Sequence, residues 1–146
     1  MKQNKMEKVA AVAKVVEQQL AVDLGHSVQS HAGKRDQLDQ LMQFKSDYEE
    51  MLAEKSKAGI SAIALQDYRL FLSKLDQAIS QQTQEVQSAE QNLAQVRAQW
   101  IDKSQRKSAL EHLVDERRSE RLRLREKNEQ KETDERSMHR LEDPST

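Results

Sequence analysis

Residues 60–100 read ISAIALQDYRLFLSKLDQAISQQTQEVQSAEQNLAQVRAQW, and the spacing of their apolar side chains decides the fold. Counting alternately by three and four from Leu65 reaches Tyr68, Leu72, Leu75, Ile79, Gln82, Val86, Ala89, Leu93, Val96 and Trp100. The same count continues through Lys103, Lys107, Leu110, Val114, Arg117, Arg121 and Leu124, and thirteen of the eighteen positions are apolar. A seven-residue register held that long places a narrow stripe on one side of a helix, and only a partner helix in a left-handed coiled coil makes use of it. From about Lys103 the stripe turns polar.

Working outward, the segment before this helix carries a second stripe: Val9, Val12, Val16, Leu20 and Leu24, resuming at Leu38, Leu41, Tyr48 and Leu52. Between its halves lie the polar stretch His26 to Arg35 and two glycines, Gly25 and Gly33, each costing about 1 kcal/mol relative to Ala in a helix. A local bend or shift of register is expected there, within one helix. Lys55-Ser-Lys-Ala-Gly-Ile-Ser61 separates the two stripes: Gly59 can take the left-handed conformation that ends a helix, and Ser61 can cap the next one. Ile60 before the cap and Leu65 after it are spaced for a hydrophobic staple. So short a connection favours antiparallel neighbours within one chain.

The expected fold is therefore all-α, a long two-helix antiparallel coiled-coil hairpin forming one domain. The boundaries are helix 1 over about 5–54, a turn over 55–61, helix 2 over 62–136 and a disordered tail over 137–146. At about 1.5 Å per residue the first helix reaches about 75 Å and the second about 110 Å, so the C-terminal part overhangs. From Asp115 to Asp143 it alternates Arg, Glu and Lys with little stripe left, as a solvated helix does.

Composition agrees. The chain has 146 residues, 36% hydrophobic and 34% charged, with five aromatic side chains, and a mean hydropathy of -0.96. That is too little for a thick core, yet the helical spacing separates it from a disordered chain. Lys+Arg 24 against Asp+Glu 25 leaves a net charge of -1, without the positive field that gathers nucleic acid or anionic lipid. Zero cysteines exclude a disulfide framework and a thiolate metal site, and fit a reducing compartment such as the cytoplasm. In MKQNKMEKVAAVAKVV, Lys14 interrupts the Val9 to Val16 run and Glu17 follows, which reads as an amphipathic helix and not a signal peptide. No apolar run approaches the roughly 20 residues that span a bilayer, so membrane contact is expected only through a partner.

No chemistry-bearing motif emerges. Gly33-Lys34-Arg35 lacks the spacing and the hydroxyl of a phosphate-binding loop. His26, His31, His112 and His139 match no metal-ligand spacing and are expected to be solvated. The run Arg117, Arg118, Arg121, Arg123, Arg125, Lys127 is interleaved with Asp115, Glu116, Glu120, Glu126 and Glu129, which favours pairing within the helix and a protein-facing role over nucleic acid. The expectation is no enzyme, no cofactor and no metal.

The aromatics are placed unevenly: Phe44, Tyr48, Tyr68 and Phe71 all flank the turn, leaving only Trp100 elsewhere. Tyr68 and Leu75 lie in the stripe while Phe71 and Ala78 fall on its edge, as Phe44 does beside Leu41 and Tyr48. The adjacent rows Gln37-Leu41-Phe44-Tyr48 and Phe71-Leu75-Ala78-Gln82 would form one partly exposed apolar face. Such a face either widens the hairpin core or docks a partner; an aromatic outside a two-helix seam has little protein to bury it, which favours docking.

In these features the chain resembles the flagellar type III export protein FliJ family over most of its length. The residues concerned are Leu38-Asp-Gln-Leu41 with Phe44 and Tyr48, Gly59-Ile-Ser61, Leu65 with Tyr68, and Phe71-Leu-Ser-Lys-Leu75 leading into Ala78-Ile79. Trp100 followed by Lys103, and the Arg/Glu/Lys-rich tail ending Asp134-Glu135-Arg136, match in kind. The resemblance implies an antiparallel coiled coil similar to the stalk subunit of rotary ATPases. It implies a cytoplasmic adaptor, peripheral at the inner membrane, that links the hexameric export ATPase to the export gate's cytoplasmic domain and helps recycle export chaperones. The gate-binding surface it implies is Gln37, Leu41, Phe44, Tyr48, Phe71, Leu75, Ala78 and Gln82; where other members carry Tyr or His, this chain has Phe44 and Gln82. By the same analogy the helix ends far from the turn, within Met1 to Leu20 and Leu110 to Arg140, would enter the ATPase ring, with Arg117, Arg118, Arg121 and Arg125 as candidates. The competing expectation is a self-associating structural coiled coil whose pairing Lys103 and Lys107 would set.

Overall fold

In the computed structural model, Gly59 has φ 96°, the left-handed value that stops a helix. Two residues on, the Ser61 hydroxyl accepts a hydrogen bond from the Ala64 N–H at 3.2 Å, and its carbonyl accepts from the Leu65 N–H at 3.0 Å. This is a C-terminal stop followed at once by an N-cap. Ile60 and Leu65, half-buried on either side of the cap, take the staple positions.

The structure describes residues 2–142, with side chains from Lys5 onward. They form two helices, α1 (Lys2–Ala58, 57 residues) and α2 (Ala62–Glu142, 81 residues), which pack against each other without any strand among the described residues. The all-α reading with a longer second helix stands. The boundaries differ from expectation: α1 runs through Lys55, Ser56, Lys57 and Ala58, leaving a connection of 59–61. Nothing before Gly59 breaks a helix, and Lys55 and Lys57 in the last turn favour the negative end of the helix dipole. Residues 137–142, expected to be disordered, continue α2, since no breaker precedes Pro144; residues 143–146 lie outside the described part.

Packing groups the chain into two units, residues 19–101 and residues 1–18 with 102–146. In the first, α1 turns inward Leu20, Leu24, Ser27, His31, Lys34, Leu38, Leu41, Lys45, Tyr48 and Leu52. Their spacing alternates strictly between four and three. Facing them is the expected α2 row from Leu65 to Trp100, half-buried or buried throughout. Leu75 and Val86 at 7% exposure and Ala89 at 8% are its most covered apolar members, and burying a side chain of Leu or Val size stabilises by about 1.5–3 kcal/mol.

The glycines cause no break of register. Gly25 and Gly33 sit on the exposed side with open space around them. The polar stretch around them holds the seam by hydrogen bonding: Asn92 donates to the Ser27 hydroxyl at 3.2 Å, His31 Nε2 lies 3.3 Å from Glu90, and Gln82 donates to the Lys34 carbonyl at 2.8 Å. His31 is thus a seam residue and not a solvated one.

In the unit of the chain ends, the inward positions of α1 are Met6, Ala10, Ala13 and Glu17, opposite Lys103, Lys107, Leu110 and Val114. This corrects the expected stripe: Val9, Val12 and Val16 are exposed, Val12 to 63%. The reason is register. Strict steps of four and three counted back from Leu52 land on Leu24, Leu20, Glu17, Ala13, Ala10 and Met6, and a shift onto the valines would break every rung. Lys107 pairs with Glu17 at 3.7 Å and Arg118 with Glu7 at 3.1 Å. From Arg117 to Glu142 every residue of α2 is exposed.

Candidate functional site

The unit next to the turn holds a four-ring cluster. Tyr48 of α1 is its centre, with ring centroids 4.6 Å from Phe71 and 5.5 Å from Tyr68; Phe44 stands 6.4 Å from Tyr48 and meets Phe71 edge-on at 6.1 Å. Offset and edge-to-face pairs at these separations add about 0.5–1.5 kcal/mol beyond area burial. Two helices cannot cover four rings: Phe44 remains 51% and Phe71 39% exposed.

The remaining residues of the expected face assemble around the rings. Gln82 donates to the Gln37 side chain at 3.2 Å as well as to the Lys34 carbonyl, closing the end of the face away from the turn. Leu41 and Ala78 are half-buried, and Leu75 is buried. The structure thus joins Phe44, Tyr48 and Phe71 as rings and Gln37 with Gln82 by a hydrogen bond, with Phe44, Phe71 and Gln37 presenting surface.

Polar groups frame the face. Lys55 donates to the Tyr68 hydroxyl at 2.7 Å and lies 5.4 Å from its ring centroid, a cation–π position. That hydrogen bond raises the Lys55 pKa, and partial burial raises the Tyr48 phenol, with Tyr68 nearby adding to it. Lys45, a step of about 100° round the helix from Phe44, pairs with Asp76 at 2.6 Å and Glu49 at 3.8 Å, and the Asp76 bond holds its ammonium above the usual lysine range. The rings cannot slide along the seam without breaking these pairs.

One residue escaped the sequence reading. Met51 lies seven residues after Phe44 and three after Tyr48, on the same side of α1, and is 38% exposed. The spacing was legible; methionine in a charged stretch did not attract notice beside four aromatics.

Among the described residues no cluster of His, Asp and Glu could hold a metal, and no helix is long and apolar enough to cross a membrane. Arg117, Arg118, Arg121 and Arg125 are all exposed, on successive turns of α2, and among the described residues Arg118 pairs with Glu7. They lie in the unit of the chain ends.

A protein-family model described as flagellar FliJ protein matches residues 1–144. The chain belongs to the FliJ family. It is accordingly a coiled-coil protein related to flagellar export, and the family is a structural or adaptor component of that system. The chain matches no curated protein and no solved structure. Four of the residues that carried the resemblance, Phe44, Tyr48, Tyr68 and Phe71, form the ring cluster.

Proposed function

We propose that this FliJ-family chain is an adaptor of flagellar type III export that docks its aromatic face on the cytoplasmic domain of the export gate. The observation that carries the reading is the half-exposed ring cluster of Phe44, Tyr48 and Phe71, on the same hairpin unit as the Gln37–Gln82 hydrogen bond. A fixed, partly uncovered set of rings is the kind of surface on which binding energy concentrates. Met51 extends the same surface toward the turn.

In this reading the unit of the chain ends meets the hexameric export ATPase through Arg117, Arg118, Arg121 and Arg125, the adaptor assists chaperone recycling, and the protein works in the cytoplasm at the inner membrane through its partners. A six-fold ring can respond to a central binder only if that binder favours some ring conformations over others, and a two-helix surface with arginines on one helix offers such asymmetry. Within the hairpin Lys107 pairs with Glu17, and the competing reading of a self-associating coiled coil is separated from the adaptor by light scattering of the isolated chain, where a persistent dimer would favour self-association.

The test is a pull-down of the full chain against the gate's cytoplasmic domain and against the ATPase, with Phe44→Ala/Phe71→Ala beside wild type. Loss of gate capture with ATPase capture and helicity retained is expected. Wild-type protein that captures neither partner removes the proposal.

A further inference from the structure

The displaced valines create a second surface, independent of the ring cluster. Val9, Val12 and Val16, at i, i+3 and i+7, form one wall of an open groove of about 460 Å³; Ala13 lies at its base, and Lys103 and Arg106 of α2 form the other wall. Lys5 and Lys8 complete its lining. The three valines are 41%, 63% and 39% exposed. In water that exposure has no return, and a ridge of side chains at helical spacing fits it: seven residues of a third helix advance about 10 Å, the same distance as Val9 to Val16.

Charge selects the occupant. The groove has four cationic side chains and no carboxylate in its lining, and among the described residues none of the four is in an ion pair. The exposed leucines of the chain's own far end, Leu122 and Leu124, stand among Arg121, Arg123, Arg125 and Lys127 against Glu120 and Glu126, a positive balance, so that segment or a second copy's would enter with like charge in excess. We propose that the groove is a docking site for an acidic amphipathic helix of a partner protein, its apolar ridge on the valines and its Asp and Glu side chains on Lys5, Lys8, Lys103 and Arg106.

The probe is a synthetic amphipathic helix of about 15 residues, long enough to hold helix, with leucines at i, i+3 and i+7 and glutamates on both flanks; a second peptide carries lysines instead. Fluorescence anisotropy against the full chain should show the acidic peptide binding about tenfold or more tighter than the basic one. Val12→Ser/Val16→Ser, both at exposed positions, should weaken it by about tenfold with far-ultraviolet circular dichroism unchanged. Lys8→Glu/Lys103→Glu should reverse the preference between peptides. Arg121→Ala/Arg125→Ala, which alters the proposed ring contact outside the groove, should leave peptide affinity as it is, so the two readings fail separately. No binding, equal binding of both peptides, indifference to the valine change, or capture only of phosphatidylglycerol vesicles would each overturn the proposal.

Discussion

The two units use the same heptad spacing for different ends. In the unit that holds the turn the seam is mostly Leu, Tyr, Ile and Val with polar rungs between them, and Phe44 and Phe71 lie over one edge beside the seam tyrosines. At the chain ends the seam is Ala10, Ala13 and Glu17, while the larger apolar residues, Val9, Val12 and Val16, are left outside. A coiled-coil register is thus a cooperative property of the whole ladder. Local hydrophobicity yields to it where the two disagree, and each unit ends with apolar surface available for a partner.

The most severe test of that contrast is truncation in the two places. Leu75→Ala should destabilise the fold by about 2–4 kcal/mol, whereas Val12→Ala, larger than its neighbours in the seam but outside it, should stay within about 0.5 kcal/mol; urea denaturation followed at 222 nm compares them. Equal losses would mean that the valines are core after all. Next in size, Gly59→Ala forces a side chain into the left-handed region and should cost about 1 kcal/mol, read as a lower urea midpoint with an unchanged slope.

The polar rungs sharpen the same comparison. Ser27 is 8% exposed and bonded to Asn92, so Ser27→Ala should cost about 1 kcal/mol by removing a part-buried hydrogen bond across the seam. Ser27→Ala/Asn92→Leu should recover most of that loss, and a double variant no better than the single would show that the bond contributes nothing. The smallest expected effect is electrostatic. Asp76 holds the Lys45 pKa above its ordinary value, so this contribution is complete below the lysine range of about 10.4 and is lost as pH rises through the raised value. Alkaline titration should therefore diminish the stability difference between wild type and Lys45→Met, whereas acid down to neutral pH should leave it unchanged.

How far these features were legible differs by helix. The α2 row from Leu65 to Val114 could be counted from the sequence because its members are large and its spacing uninterrupted. Capping at Ser61 and the stop at Gly59 were equally plain, since each depends on a local backbone requirement. The α1 row was misread at two points for one reason: a ladder shows itself only where its rungs are apolar. Ser27, His31 and Lys34 looked like a gap because their partners Asn92, Glu90 and Gln82 stand about 50 to 65 residues away in sequence, and Ala10 and Ala13 lost to the bulkier valines beside them. The ring face was legible because Leu75 counts into the stripe while Phe44 and Phe71 fall on its edge, but how far each ring stays uncovered depends on how closely the two backbones approach.

The three-residue connection has a kinetic corollary. Lys55 and Tyr68 meet across 13 residues of sequence, Gln37 and Gln82 across 45, Ser27 and Asn92 across 65, and Glu7 and Arg118 across 111. Loop-closure entropy grows only slowly when each contact builds on the one before it, so the chain can zip from Gly59 outward, every rung shortening the loop that the next must close. Unzipping follows the reverse order. On this order the rungs nearest the chain termini are expected to form last and open first, which pulse-labelled hydrogen exchange would read, and a partner that binds there would slow the opening without touching the turn.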